Sequence, residues 1–164
     1  MMKKTILSFL ALSLLGVSAS VFAGSSTTNV VGAADVQATC SVASGNINFG
    51  QISPLAQTSA SATITAICTK DTSYTLSVNI GNSSSFNNRV MMGSTSGNGD
   101  GLNYNIYNSN QYTNIVGDGT GGTVVYTGTG SGLSQSYSLY GAVPGNQYVT
   151  PDNYVDNLTV TLNY

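Results

Sequence analysis

Histidine, tryptophan and glutamate are absent from this 164-residue chain, and it carries only four basic and six acidic side chains. Without histidine, neither a Ser-His-Asp nor a Cys-His nucleophile relay can be built, nor a histidine-based zinc site. Basic residues are almost as scarce. Beyond residue 23, Lys70 and Arg89 face six aspartates, which excludes an electrostatic nucleic-acid binder with its clustered cationic surface. Long apolar runs are missing too. The longest, Ile6 to Val17, is too short to span a bilayer. No stretch beyond it shows a useful 3.6-residue apolar period, so helices are not expected.

The short apolar run has a different use. Met1-Met-Lys-Lys4 gives a basic start, and Val21-Phe-Ala23 places small residues before Gly24. This is the layout of a secretory signal peptide over residues 1–23, cleaved after Ala23 to release an exported, single-domain product. Low charge does not imply disorder here, because aliphatic residues and ten tyrosines are regularly spaced. Ser, Thr, Asn and Gly must solvate the surface. The two cysteines, Cys40 and Cys68, are an even count in an oxidising compartment and read as one disulfide.

What the chain does have is period-two alternation. Tyr154, Leu158, Val160, Leu162 and Tyr164 share one parity against Asn157, Thr159, Thr161 and Asn163, as in a strand with one buried face. Its edge carries no charge, Pro or Gly after Asp156 to protect it, so a partner is required. From Val30, even positions stay apolar or small as far as Val42, too long for one strand. We divide this run into a tail with strand character, Thr28 to Asp35, and a first strand, Val36 to Val42. A short extended piece, Asn46–Ile52, follows. Thr63–Thr69 and Tyr74–Ile80 flank a turn and are expected to pair as a hairpin. Further strands are expected at Leu102–Ile106, Val124–Tyr126 and Tyr137–Val143, with Val90-Met-Met92 as a short apolar insert. Seven or so short strands between Gly-rich turns argue an all-β sandwich.

Several patterns imitate chemistry. Asp152 and Asp156 are close enough in sequence to be paired carboxylates, but turn and strand-start roles account for them. Gly117-Asp-Gly-Thr-Gly-Gly122 fits G-x-G-x-x-G, yet a β-type run follows where a dinucleotide site needs a helix. Asp100 and Asp118 lie in Gly-rich loops without the regular oxygen ligands of a calcium site. Tyr107, Tyr112 and Tyr140 are either core residues or a sugar-stacking face. Neither an enzyme nor a cofactor or metal is expected.

The order of motifs is more informative. Thr39-Cys-Ser-Val42, Ile47-Asn-Phe-Gly50, Cys68 leading into Tyr74-Thr-Leu-Ser77, Leu102-Asn-Tyr-Asn-Ile-Tyr107, Gly117-Asp-Gly119, Tyr140-Gly-Ala-Val-Pro-Gly145 and Pro151 to Asp156 running into Leu158–Tyr164 together resemble the spore coat protein U domain. The chain departs from the usual pattern at Asp152, where Gly is common, and at Val116, where Trp is common. Members of this family serve as subunits of archaic chaperone–usher pili. The resemblance implies an incomplete immunoglobulin-like sandwich lacking its final strand, completed by donor-strand complementation, with a hydrophobic groove beside the C-terminal strand. A periplasmic chaperone fills the groove in transit. At the outer-membrane usher, the N-terminal tail of another copy or a related pilin replaces it.

On that basis the expected division is a signal peptide at 1–23, a donor-strand extension at 24–35 and the pilin domain at 36–164. Val30, Gly32, Ala34 and Val36 would enter the groove. A one-residue slip would instead bury Asn29 and Asp35. Leu158, Val160, Leu162 and Tyr164 would line the acceptor strand, with the Tyr164 carboxylate gripped by basic residues of the chaperone. Head-to-tail donation does not close and so makes open filaments. The expected product is a cell-surface fimbrial stalk subunit serving adhesion and biofilm growth. The alternatives are a secreted coat protein outside any pilus and a small carbohydrate-binding module.

Overall fold

The computed structural model describes residues 23–164 and is all-β, apart from one 3-10 turn at Phe86–Asn88. The signal-peptide expectation lies almost wholly on residues outside this range. The chain divides between Asp35 and Val36. Residues 23–35 carry no regular structure and are exposed throughout.

From Val36 onward the strands are β1 (Cys40–Ser44), β2 (Thr58–Cys68), β3 (Ser73–Val78), β4 (Arg89–Gly93), β5 (Gly101–Tyr107), β6 (Tyr126–Thr129), β7 (Gln135–Val143), β8 (Tyr154–Val155) and β9 (Val160–Asn163). They form a six-stranded sheet in the order β1-β2-β7-β5-β4-β8 and a three-stranded sheet in the order β6-β3-β9. All named pairs are antiparallel.

The alternation that forms these strands also builds the core. Ile64, Ala66 and Cys68 of β2 are buried, as are Tyr74, Leu76 and Val78 of β3, Leu102, Tyr104 and Ile106 of β5, and Leu139 of β7. Each fully buried aliphatic side chain contributes about 1.5–3 kcal/mol relative to exposure. Cys40 and Cys68 are register partners in β1 and β2, and they form the expected disulfide.

Four expectations need correction, one being that the strand expected at Val124–Tyr126 begins where that run ends, as β6 at Tyr126–Thr129, with Val124 only bridging Val116. Thr63–Thr69 and Tyr74–Ile80 are not a hairpin: β2 and β3 belong to different sheets. Their apolar faces meet across the core rather than lying side by side. The first strand begins at Cys40, not Val36, and residues 36–39 are exposed. The C-terminal run is two strands. β8 pairs with β4 at Met92–Val155 and Gly93–Tyr154, whereas β9 pairs with β3 from Val78–Val160 to Thr75–Asn163. Between them the chain crosses from one sheet to the other.

Small residues create a depression in the larger sheet. Ala60 pairs with Gly141 and Ala62 with Leu139. A Cβ on Gly141 would lie 2.6 Å from Phe49 and 2.9 Å from Ile47. These two side chains therefore settle where the sheet lacks bulk, and Phe49 also packs edge-on against Tyr104, with ring centroids 6.0 Å apart.

Candidate functional site

The site is an open groove between two stretches of chain. One rim is the segment after β1, from Ser44 to Pro54. The other runs from Gln147 through β8 to Val160. Two cavities, about 410 Å³ and about 970 Å³, share Ile47, Met91, Tyr154 and Val155 as lining and so adjoin along one trough. Val78, Tyr104 and Leu139 also line the smaller part, and Phe49, Ile52, Leu102 and Val149 the larger.

Both rims present unused backbone. Gly45 N donates to Thr63 O, but from Asn46 to Ile52 no main-chain hydrogen bond forms among the described residues, and Gly50 N turns to the Asn48 side chain. On the other rim β9 is the last strand of its sheet, paired only with β3. A peptide group left unpaired beside an apolar trough needs either water or another strand. Side chains show the same gap. Val42 shares the parity of Cys40 and pairs with buried Ala66, which places it on the inner face, yet it is 39% exposed. Leu158, Val160 and Leu162 are half-buried against the core.

Polar groups pin the rim where the chain changes sheets. Asp156 accepts from Asn82 N at 2.8 Å and from the Tyr104 hydroxyl at 2.7 Å. Asn79 Oδ1 accepts from Thr159 N at 2.8 Å, while Asn79 N donates to Thr159 O at 3.0 Å. Burial, followed by the bond to Asp156, pushes the Tyr104 phenol well above its usual range, so it stays a donor. Arg89, fully buried, donates to Asn105 Oδ1 at 2.8 Å, Asn79 O at 2.9 Å and Val116 O at 2.8 Å. Its guanidinium lies 5.2 Å from the Phe86 ring centre. Burial lowers its pKa, and the neighbouring Tyr104 and Asp156 oppose that shift.

Of the residues singled out from sequence, Leu158 and Val160 line the trough. Leu162 follows on the inner face of β9, and Tyr164 is 63% exposed. Val30, Gly32, Ala34 and Val36 are exposed. The opposite rim, Ile47, Phe49 and Ile52, escaped notice as a functional element, although Ile47 and Phe49 alternate with asparagines. Met91 and Tyr104 on the floor gave no local signal.

The imitating motifs resolve into turns. Asp152 accepts from Thr95 N at 2.9 Å, Thr95 Oγ1 at 2.8 Å and Asn98 Nδ2 at 2.8 Å, tying the β4–β5 turn to the residues before β8. These bonds, the Thr95 amide foremost, hold its carboxyl far below the usual range. Asp156 serves a separate network, so the two carboxylates do not converge on one site. Asp100 binds Thr150, and Asp118 binds Thr120. Gly117–Gly122 is a turn with Gly119, Gly121 and Gly122 at positive φ. Tyr107 and Tyr140 are register partners, and the Tyr112 ring stands edge-on to Tyr107 at 5.4 Å.

A family model, the Spore Coat Protein U domain, matches residues 25–161. No curated protein matches the chain. Among solved structures, one chain of the CsuC–CsuE chaperone–tip adhesion subunit pre-assembly complex, from archaic chaperone–usher Csu pili of Acinetobacter baumannii, aligns with a TM-score of 0.59 at 18% identity. The alignment covers 79% of this chain and 40% of that one, so the present chain spans about two fifths of its length. The E. coli Hda pilus minor tip subunit HdaB aligns with a TM-score of 0.40 at 20% identity, covering 76% of this chain and 79% of that one.

Proposed function

Because the chain belongs to the Spore Coat Protein U domain family, we propose that it is a structural subunit of a secreted chaperone–usher pilus, polymerising head-to-tail by donor-strand exchange. The observation that carries this reading is the trough between Ser44–Pro54 and Gln147–Val160, whose Asn46–Ile52 stretch makes no main-chain hydrogen bond among the described residues and whose other rim leads into the edge strand β9. An inserted strand gains affinity from main-chain hydrogen bonds to those rims and specificity from alternate side chains entering the trough. The same chain offers such a strand. Val30, Gly32, Ala34 and Val36 are all apolar or small on one parity, and Val30 and Val36 are 92% and 82% exposed.

In this scheme a periplasmic chaperone fills the trough during export. The usher then replaces it with residues 28–36 of another copy or a related pilin, and the product is a cell-surface fibre for adhesion and biofilm growth. Leu158, Val160 and Leu162 are the acceptor side chains, with Tyr164 at the end of the rim. Deleting Gly24–Asp35 should abolish fibre formation while leaving chaperone binding intact, read by unboiled gel electrophoresis and co-purification with the chaperone. Fibres from the deletion variant would refute the assignment of the donor.

A further inference from the structure

Large hydrophobic side chains stay exposed at two opposite ends of the domain, and the donor-strand reading brings those ends together in neighbouring copies. At one end the chain enters the domain at Thr39–Cys40. Beside this root is a depression of about 290 Å³ lined by Cys40, Ile67, Cys68 and Gly132. Ile67 is 45% exposed, and Leu133, next to Gly132 in the chain, is 72% exposed. At the other end the turn around Leu55 packs on the Gly145–Asn146 turn, with Asn146 N donating to Pro54 O and Gly145 against Ala56. Leu55 is 74% exposed and Tyr148 75%. Pro54 and Tyr148 line this mouth of the trough.

The topology decides which mouth receives the tail. β9 runs toward the Cys40 end, because Asn163 pairs with Thr75 close to the β2–β3 turn. A fibre that grows without closing needs the tail root and the entry for the next tail at opposite ends. A tail whose Val36 end lay toward Cys40 of the acceptor would bring two roots together and obstruct further growth. Entry at the Pro54–Tyr148 mouth avoids this and sets the donor antiparallel to β9, the slightly stronger pairing. From Val36 to Cys40 only about 13 Å of extended chain is available. The root of one domain must therefore abut the trough mouth of the next.

We propose that Ile67 and Leu133 of one copy dock against Leu55 and Tyr148 of the next, a second contact that fixes the angle between consecutive subunits. This inference rests on the donor-strand reading above. Its test is photocrosslinking of assembled fibres carrying Leu133→benzoylphenylalanine, followed by boiling to separate uncrosslinked subunits and mass spectrometry of the dimers. The expected adducts fall within residues 53–57 or 146–149. Tyr148→benzoylphenylalanine should report residues 66–68 or 132–134 in return, and it serves if the first variant does not assemble. Intersubunit adducts elsewhere, or none in fibres that form normally, would overturn the docking surface while leaving donor exchange intact. Failure of the unmodified protein to form any fibre would sink the pilus reading itself, and this inference with it.

Discussion

Three valines in the tail allow a parity test with an internal control. Val30, Val31 and Val36 are 92%, 86% and 82% exposed in the single chain, so none contributes appreciably to its fold. Even-parity insertion buries Val30 and Val36 and leaves Val31 outside. Val→Ala removes two methyl groups, worth about 0.8 kcal/mol each on burial, or about 1.6 kcal/mol per valine. At 1.4 kcal/mol per tenfold, Val30→Ala and Val36→Ala should each weaken capture roughly 15-fold. The pair is six residues apart and should act additively, for about 3.2 kcal/mol or roughly 200-fold. Val31→Ala should change nothing. The assay is competition of synthetic peptides spanning residues 28–37, each carrying one substitution, against a labelled wild-type peptide for the subunit lacking Gly24–Asp35. If Val31→Ala weakens capture while Val30→Ala and Val36→Ala are silent, the register is odd. If all three are silent, the trough does not read this segment.

Arg89→Met should lower stability by about 3 kcal/mol, since three acceptors, those on Asn105 and Val116 buried, lose a net bond of about 1 kcal/mol each. Arg89→Lys should recover part of this, because one ammonium cannot reach all three acceptors, and urea midpoints would rank the series. The depressed Asp152 pKa means that the folded state favours its carboxylate. The resulting stabilisation is complete above the unfolded carboxyl value near 4 and is lost as pH falls toward the lower folded value. Asp152→Asn should therefore flatten the acid limb of a Tm-against-pH profile below about pH 4, and an unchanged limb would contradict the geometry. Gly141→Ala should push Phe49 and Ile47 out of place. Its effect should appear as weaker peptide capture with β-sheet circular dichroism retained.

The alternation from Tyr154 to Tyr164 was legible and survives in the burial pattern as far as Leu162, and Tyr164 departs from it by being exposed. The break inside it was not legible. Asp156 and Asn79 replace ladder hydrogen bonds with side-chain ones at the crossover, and neither residue announces this to a reader of local pattern. The β2–β3 error has a similar origin. Period two tells which face of Ile64-Thr-Ala-Ile-Cys68 and of Tyr74-Thr-Leu-Ser-Val78 is buried, but two apolar faces satisfy each other equally well side by side or across a core. The start of β2 was missed because Ser59, Ala60, Ser61 and Ala62 lack bulk, and that smallness is what admits Phe49. Arg89 entered only the charge balance, since its acceptors come from three separate stretches of chain. Leu158 and Val160 were singled out because their stretch alternates strongly, and both line the trough. Its opposite rim is extended but unpaired, and so was noted only as a short piece.

The disulfide sits at the first residue of β1, in register with the last residue of β2, and this placement governs how the domain carries tension. A pull on the tail enters at Cys40. Without the covalent bond the five pairs of β1 with β2 would bear that pull alone. With it, the force passes directly into β2, which is paired with β7 over nine consecutive positions from Thr58–Val143 to Ala66–Gln135. The pull then runs along β2, so those pairs share it in shear and must yield together rather than in sequence. The pairing of β1 is thus bypassed mechanically, and the trough rim that continues from β1 keeps its shape under load.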